Sequence, residues 1–532
     1  MTAVSGGSSG ADPTFTVLVP VYRTDPGHLG EMVRSVQAQS ERSWELVLVD
    51  DGSDSPELTA ALDHLAAGDP RIRLEPLATN LGIVGASSHG LAAARGQFVA
   101  LLDHDDRLAP QALERMLAAI EAHPEADVLY SDEDQIHDGR LGDPFRKPDF
   151  SPERLRGQMY LGHLVVYRRS LLAEVGGFRA GFDGSQDYDL ALRATERARE
   201  VVHVPEVLYH WRIHPGSVSH RADNAAVFAA ARRALSEHLE RTGRQGTVEQ
   251  VHPIGVYRVR RELRELPLVS IVVPTRGTTA SVRGVERVLV VEAVRSVVER
   301  TTYPNIEVVV IADRATPPEV VEELRALSRS RVRILEHTGP FNYSGQVNSG
   351  VHAARGDLLV TLNDDTEVVT PDWLTTMVGL LEPDVGMVGA KLLYENDLIQ
   401  HLGLHVGRGH VVHTAAGEPA DATGPSAGYL VDREVTGVTG ACALFPRAVF
   451  DEVGGLSRAL PVNFNDVDFS FKVTGTGRRV LVTPHAVLYH YESRSRPRRV
   501  AISEVDTLRN RWRQELMRDS YWTQAIPDQL RA

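Results

Sequence analysis

Short apolar runs alternate with amphipathic ones along this chain. Thr14 to Val21 (TFTVLVPV) is a β-branched run ending around Pro20 and Tyr22, which predicts a buried strand entering a loop. His28 to Gln39 places Leu29, Met32, Val33 and Val36 at helical spacing. Trp44 to Val49 is a second strand closed by Asp50-Asp51-Gly52-Ser53, and Pro56 opens the next helix at a position suited to its fixed φ. A strand at Ile72 to Leu77, a small-residue helix at Val84 to Ala94 and a strand at Phe98 to Leu102 follow, with a further strand near Asp127 to Tyr130 and a helix at Asn224 to Arg241. Such alternation predicts an α/β fold, with a parallel sheet covered on both faces and ligands at the carboxyl ends of its strands.

At Pro267 the pattern restarts. Leu268 to Val273 followed by Pro274-Thr275-Arg276 repeats Phe15 to Val19 followed by Pro20-Val21-Tyr22, and Ala93-Ala94-Arg95-Gly96 returns as Ala353-Ala354-Arg355-Gly356. The pairing continues in order through Asp51 and Asp313, Asp103 and Asn363, Gly176-Gly177 and Gly454-Gly455, Asp187 and Asp466, and Leu208-Tyr209-His210 and Leu488-Tyr489-His490. An ordered series over roughly 200 residues indicates an internal duplication. The expected organisation is a disordered leader at 1–13, a first domain at 14–220 and a helical connector at 221–266. A second domain follows at 267–495, then a basic segment and a helix (about Val505 to Met517) at 496–532. The second copy carries an insertion from Gly277 to Glu286.

Composition narrows the partners. A net charge of −14 argues against nucleic acid as the main partner. A single cysteine, Cys442, excludes an internal disulfide and fits a reducing compartment. No apolar run approaches the ~20 residues of a membrane span, and the first thirteen residues lack the basic and apolar regions of a signal peptide. The expectation is a cytoplasmic protein, peripheral to the inner face of the cell membrane at most.

Four polar elements recur in each copy. The first is an acidic residue after the second strand, Asp51 behind Asp50 and Asp313 behind Ala312, able to accept from the imide N–H of uracil or thymine or to cap a helix. The second is the cluster Asp103-His104-Asp105-Asp106, echoed by Asn363-Asp364-Asp365-Thr366, whose oxygens suit Mn²⁺ or Mg²⁺ bridging a diphosphate. The third is Gln186-Asp187-Tyr188-Asp189 and Asn465-Asp466-Val467-Asp468. Asp187 and Asp466 there are candidate general bases, while Asp189 and Asp468 could as easily cap helices. The fourth is a histidine after the last strand, His210 or His214 and then His490, which can complete a metal shell or contact phosphate, or be structural.

Val-Pro-Val-Tyr, Val-Asp-Asp-Gly-Ser, Leu-Asp-His-Asp-Asp and Ser-Gln-Asp-Tyr-Asp-Leu resemble the signature set of inverting family 2 glycosyltransferases with the GT-A fold. Asn342-Tyr343-Ser344, Leu362-Asn363-Asp364-Asp365, Val438-Thr439-Gly440-Ala441 and Phe464-Asn465-Asp466-Val467-Asp468 resemble the same family. The likeness is to enzymes of O-antigen, rhamnan and other cell-surface polysaccharide assembly. It implies two tandem GT-A domains and transfer from a UDP- or dTDP-sugar to a glycan or lipid-linked glycan acceptor. It also implies donor contacts at Pro20, Tyr22, Asp50, Asp51, Asp103, Pro274, Asp313 and Asp364. Metal contacts would fall at Asp103, Asp105, His210, His214, Asn363, Asp365 and His490, and the bases would be Asp187 and Asp466. The second copy departs at Ala312 and Asn363. Both copies are nonetheless expected to be active, the alternative being a second copy that only binds or scaffolds.

Other features point elsewhere. His401, His405, His410 and His413 fall among glycines without the Glu of a zinc-protease motif, and are expected to be surface or acceptor-loop residues. Arg494, Arg496, Arg498 and Arg499 form a basic arm suited to a phosphate-bearing acceptor or an anionic membrane surface. A sugar-nucleotide pyrophosphorylase would need a Gly-rich basic loop after strand one, where this chain has Pro20-Val21-Tyr22-Arg23-Thr24-Asp25.

Overall fold

The computed structural model describes residues 12–213, 225–491 and 500–522. Most of the expected leader, His214 and the four arginines of the basic arm lie outside the described residues. The chain divides into two compact units, Met1–Phe150 with Gln158–Arg244 and His252–Gly255, and Ser151–Gly157 with Gln245–Val251 and Val256–Ala532. The segment read as a connector is thus shared out, its helix going to the first unit and its two strands largely to the second.

The first unit runs β1 (Phe15–Val21), α1 (Pro26–Gln37), β2 (Trp44–Asp50), α2 (Pro56–Gly68), β3 (Ile72–Pro76), α3 (Gly82–Ala93), β4 (Phe98–Leu101), β5 (Arg107–Leu108), α4 (Ala112–Ala122), β6 (Ala126–His137) and β7 (Arg140–Phe145). After α5 (Pro152–Gly157), which belongs to the second unit, come β8 (Val165–Arg168), α6 (Arg169–Glu174), α7 (Gln186–Thr195), β9 (Glu200–Arg212) and α8 (Ala225–Arg241). The sheet order is β3-β2-β1-β4-β8-β6-β9-β5, with β7 beside β6. Leu29, Met32, Val33 and Val36 of α1 are fully buried, as their spacing predicts.

The second unit begins with β10 (Gly246–His252) and β11 (Val256–Arg261), then β12 (Val269–Thr275), β13 (Thr279–Val282), β14 (Val285–Val288), α9 (Leu289–Arg300), β15 (Ile306–Asp313), α10 (Pro318–Leu327), β16 (Val332–His337), α11 (Tyr343–Ala353) and β17 (Leu358–Leu362). It continues through β18 (Thr366–Val368), α12 (Trp373–Gly379), β19 (Val385–Leu393), β20 (Ile399–His401), β21 (Leu404–Gly407), β22 (His410–His413), β23 (Arg433–Glu434), β24 (Cys442–Pro446), α13 (Arg447–Val453), α14 (Asn465–Thr474), β25 (Arg479–His490) and α15 (Ile502–Arg511). Its sheet order, β16-β15-β12-β17-β24-β19-β25-β18, repeats that of the first unit strand for strand. The insertion after β12 folds as the β13–β14 hairpin.

Neither sheet is all-parallel, contrary to the expectation. β8 runs antiparallel to β4 and β6, and β24 antiparallel to β17 and β19. Apolar runs announce burial but not direction, and both returning strands are as buried as their parallel neighbours.

The repeated Ala-Arg-Gly has a physical cause. A Cβ on Gly96 would lie 2.3 Å from the Thr16 amide nitrogen, and one on Gly356 would lie 2.4 Å from the Leu268 carbonyl oxygen. The arginine amide before each glycine donates to a buried carboxylate, Arg95 to Glu45 and Arg355 to Glu307, at 2.6 Å in both units. Glu45 also accepts from Thr16 Oγ1 at 2.7 Å, and Glu307 from Ser270 at 2.7 Å. Burial alone would raise these carboxyls, but the hydroxyl and N–H donors hold both below the usual range. This clamp seats β4 and β17 against β1 and β12, and so sets where the acidic turns begin.

Candidate functional site

In the first unit the chain leaves β4 and turns tightly, Asp106 donating its N–H to the Asp103 carbonyl at 3.3 Å. The Asp103 side chain is 53% exposed, Asp105 is half-buried and Asp106 is buried. Asp106 accepts from the Tyr209 hydroxyl and the Arg212 amide, both at 2.6 Å, while the Asp103 amide donates to the same hydroxyl at 3.2 Å. Burial, reinforced by the charge of Asp103, pushes the Asp106 carboxyl up to about 8. Asp106 therefore braces the turn from within, and Asp103 is its exposed member. His104 is tied by Nδ1 to the Pro20 carbonyl at 3.2 Å.

Around that turn stand residues the motifs did not indicate. The His163 ring stacks on Tyr209 at 4.7 Å and 17°, with Nε2 3.8 Å from Asp103 Oδ2 and Nδ1 3.5 Å from Glu133 Oε2. Burial would lower its pKa, but the carboxylates of Glu133, Asp103 and Asp106 hold it up, at about 9. Glu133 is paired with the fully buried Lys147 at 2.8 Å, and burial is outweighed so far by that ammonium that the carboxyl drops to about 2. One signal for Lys147 was legible: it is one of three lysines in a chain otherwise using arginine.

Asp187 sits in the first turn of α7, Oδ1 accepting from the Tyr188 amide at 2.8 Å. Burial raises its pKa, and the charges of His163 and Asp103 act on it in opposite senses. Asp189 is not a helix cap. It is a buried carboxylate clamped by Arg179 and by Arg193, the latter at 2.7 Å. Asp51 is buried and accepts from the Leu81 amide at 2.7 Å, while α2 is capped by Ser55, so the capping alternative for Asp51 falls away. Asp50 accepts from Ser53 Oγ at 2.5 Å and pairs across the sheet with Val21, while the next residue, Tyr22, is exposed with Arg23 5.1 Å over its ring.

The second unit builds the same corner from other residues. Asn363 Oδ1 accepts from the Tyr343 hydroxyl at 3.0 Å, and its Nδ2 lies 3.1 Å from His490 Nε2. His490 Nε2 is also 3.1 Å from Asp365 Oδ1, and its Nδ1 is 2.6 Å from Gln400 Oε1. Asp364 accepts from Thr275 at 2.7 Å, and burial with the Asp365 charge pushes it up to about 7. Asp466 lies in the first turn of α14, accepting from the Gly440 amide at 3.1 Å and the Val467 amide at 2.9 Å. Asp468 is clamped by Arg511 at 2.5 Å and the Trp512 indole N–H at 2.9 Å, so it too is no cap. Asp313 accepts from the Ala315 amide at 3.0 Å and Gln346 at 3.2 Å. Pro274 lies in β12 opposite Ile311, as Pro20 lies in β1 opposite Val49.

The strand ladders correct the matching of the last-strand histidines. Phe15 pairs with Phe98 and Val269 with Leu358, which sets Asp103 against Asn363 in the two units. Arg107 then pairs with His210, but Glu367 pairs with Tyr489. Trp211, not His210, holds the place of His490. The β6–β9 ladder has an additional shift between Asp132 and Glu133, which passes over Leu208. A one-residue slip reverses the facing of a side chain, and His210 turns to Asp134 at 2.6 Å instead of the acidic turn.

The histidines read as surface residues are also corrected in part. His401 and His405 are buried in β20 and β21, with desolvation holding His401 well below the ordinary range and His405 at about 4. His401 Nε2 accepts from the Gly403 and Thr439 amides at 3.2 and 3.3 Å. His413 is exposed.

Among the described residues no three His, Cys, Asp or Glu side chains are grouped so as to hold a metal ion by themselves; the oxygens of Asp103 and Asp105, or of Asn363 and Asp365 with His490, are of the type a hard divalent cation takes.

Residues 16–176 match the family described as Glycosyl transferase family 2, and residues 267–514 the one described as Glycosyltransferase like family 2. The uncharacterized protein y4gI of Sinorhizobium fredii is 41% identical over 94% of this chain and 56% of its own length. The O-antigen biosynthesis protein RfbC of Myxococcus xanthus is 37% identical over 93% of this chain and 38% of its own. The chain thus spans about half the length of these curated relatives, or less. The structure titled S. aureus TarS 1-349 in complex with UDP-GlcNAc aligns at 21% identity over 42% of this chain and 66% of that one, with a TM-score of 0.36 that adds no weight. The two family matches fall one in each compact unit, residues 151–157 of the first match apart, on sheets of one strand order: the chain belongs to the family 2 glycosyltransferases, with two such α/β domains of GT-A type in tandem.

Proposed function

We propose that each unit transfers a sugar from a UDP- or dTDP-linked donor to a growing, lipid-linked bacterial cell-surface glycan, inverting the anomeric carbon. One observation carries this reading. In both units an oxygen-rich turn, at the end of β4 or of β17, shares its surroundings with an aspartate in the first turn of a later helix. Asp187 lies within the electrostatic reach of Asp103 and His163, and Gly440 meets both Asp466 and the tyrosine that holds Asn363. The name of the Myxococcus relative supports a surface glycan as the product class.

Asp51 and Asp313 would engage the base, with Asp50 bracing the first loop. Asp187 or Asp466 would take the proton of the acceptor hydroxyl as its oxygen bonds to the anomeric carbon, while the bond to the diphosphate breaks and the nucleoside diphosphate leaves. Burial keeps Asp187 more basic than an ordinary aspartate, which suits a general base. Asp103 and Asp105, or Asn363, Asp365 and His490, would hold Mn²⁺ or Mg²⁺, which when bound offsets the charge of the departing diphosphate. No covalent sugar intermediate is required, and fixed geometry supplies much of the remaining acceleration.

A second reading, in which only the first unit is catalytic, is favoured by Ala312 in place of Asp50's carboxylate and by Asn363 in place of Asp103's. A donor and acceptor panel on Asp187→Asn and Asp466→Asn decides between them. Loss of two different transfers establishes both sites, whereas an Asp466→Asn protein with every wild-type transfer leaves the second unit a binding domain.

A further inference from the structure

The first unit contains a buried polar apparatus where the second has apolar residues at two matching positions. The ladders Ala100–Val166 and Val360–Leu444 set His163 against Ala441, and Glu133–Tyr209 and Leu392–Leu488 set Glu133 against Leu392. Lys147 is fully buried and donates to Glu133 Oε2 at 2.8 Å, to the Leu161 carbonyl at 2.6 Å and to the His163 carbonyl. Glu133 Oε2 also accepts from the His163 amide at 2.7 Å. The bonds of this pair thus converge on the segment carrying His163. A buried lysine–glutamate pair stabilises no better than apolar side chains of similar volume, and the second unit keeps the same sheet with leucine in that place. The pair therefore serves position.

The imidazole plane is set by stacking on Tyr209 and by Trp211 at 5.7 Å and 38°. The side chain remains 30% exposed, and its Nε2 edge lies toward Asp103, beyond hydrogen-bond reach at 3.8 Å. We propose that His163 binds the donor diphosphate in the first site only, its Nε2 meeting an oxygen of the second (β) phosphate beside Asp103, with Glu133 and Lys147 as positioning residues. The proposal rests on the reading of the first unit as a nucleotide-sugar site.

Calorimetric titration of the full chain tests it, in an Asp313→Ala background that silences the second site, with Mn²⁺ and whichever of UDP and dTDP binds, each against its monophosphate. His163→Ala is expected to weaken diphosphate binding roughly ten- to a hundredfold, the range of a charge-assisted hydrogen bond. Monophosphate binding should stay within about twofold, since that ligand lacks the second phosphate. His163→Gln, which keeps an N–H donor, should recover part of the loss. The Glu133→Leu, Lys147→Met double variant, whose leucine imitates Leu392 of the second unit, should stay folded and weaken the diphosphate selectively, and it keeps the test alive should His163→Ala not fold. Equal losses of mono- and diphosphate, or none, overturn the proposal. Asp51→Ala separates the two levels. If it weakens both nucleotides while His163→Ala weakens neither, only the proposal falls; if Asp51→Ala has no effect, the reading of the site falls and the proposal with it.

Discussion

In the first unit the histidine beside the acidic turn arrives from the loop before β8. In the second it arrives from the last residue of β25. His163 is held by a buried lysine–glutamate pair and stacks on Tyr209, whereas its counterpart Ala441 brings no side-chain polarity. His490 is oriented by Gln400 and reaches both Asn363 and Asp365, while Trp211 fills the equivalent ladder place in the first unit. The acidic turns differ accordingly: Asp103 is open to solvent, and Asp365 is buried behind His490. Two copies of one sheet thus supply a similar set of groups from different elements, which is how duplicated sites can come to treat different donors or linkages without altering the scaffold.

The largest effect that tests this contrast is on stability. Lys147→Met leaves the Glu133 carboxylate buried without its ammonium, and is expected to cost the first unit about 3–5 kcal/mol. Calorimetric melting should show the first unit's transition lowered; a transition left in place would show that the pair does not stabilise that unit. Next, Gln400→Leu releases His490 and should lower metal affinity or transfer at the second site about 10–100-fold, as loss of a residue orienting a ligand does. Transfer at the first site should be unaffected, since that site has Trp211 at the matching place. A smaller change is expected when the turns are made alike. Asp103→Asn should weaken Mn²⁺ binding at the first site roughly tenfold by removing a charged ligand, and Asn363→Asp should tighten it at the second, read by Mn²⁺ titration of each variant.

The smallest effect concerns pH. His405, at about 4 in the folded chain against an ordinary value near 6.5, keeps its neutral form by burial. Below about 6.5 the unfolded chain binds a proton that the folded chain refuses, so this contribution is complete above that pH and is lost as pH falls toward 4. The second unit's transition should therefore drop on acidification, at no more than about 1.4 kcal/mol per pH unit from this group. His405→Phe, which retains an aromatic ring against Trp522, should flatten that slope.

Much of this was legible from sequence because the informative residues sit where geometry leaves no choice. Gly96 and Gly356 lie against backbone, the acidic turns follow buried strands at fixed distance, and Asp187 and Asp466 open helices; these spacings survive duplication. What stayed hidden depended on pairing across the sheet. The direction of β8 and β24 leaves no trace in an apolar run. The Leu-Tyr-His triplet matched by letters, yet Leu208 is passed over in its ladder, so His210 and His490 face differently. His163, Glu133 and Lys147 share no sequence motif and meet only through the fold. The glycines near His401 and His405 suggested a loop, but Gly403, at φ +94°, only turns the chain between two buried strands.

The central claim is that one chain carries two unequal nucleotide-sugar sites. The most direct test is to count bound nucleotide by calorimetry on the intact protein with Mn²⁺, then on Asp51→Ala and Asp313→Ala. Two sites of different affinity, one lost in each variant, are predicted. A single site that survives Asp313→Ala unchanged would contradict the account.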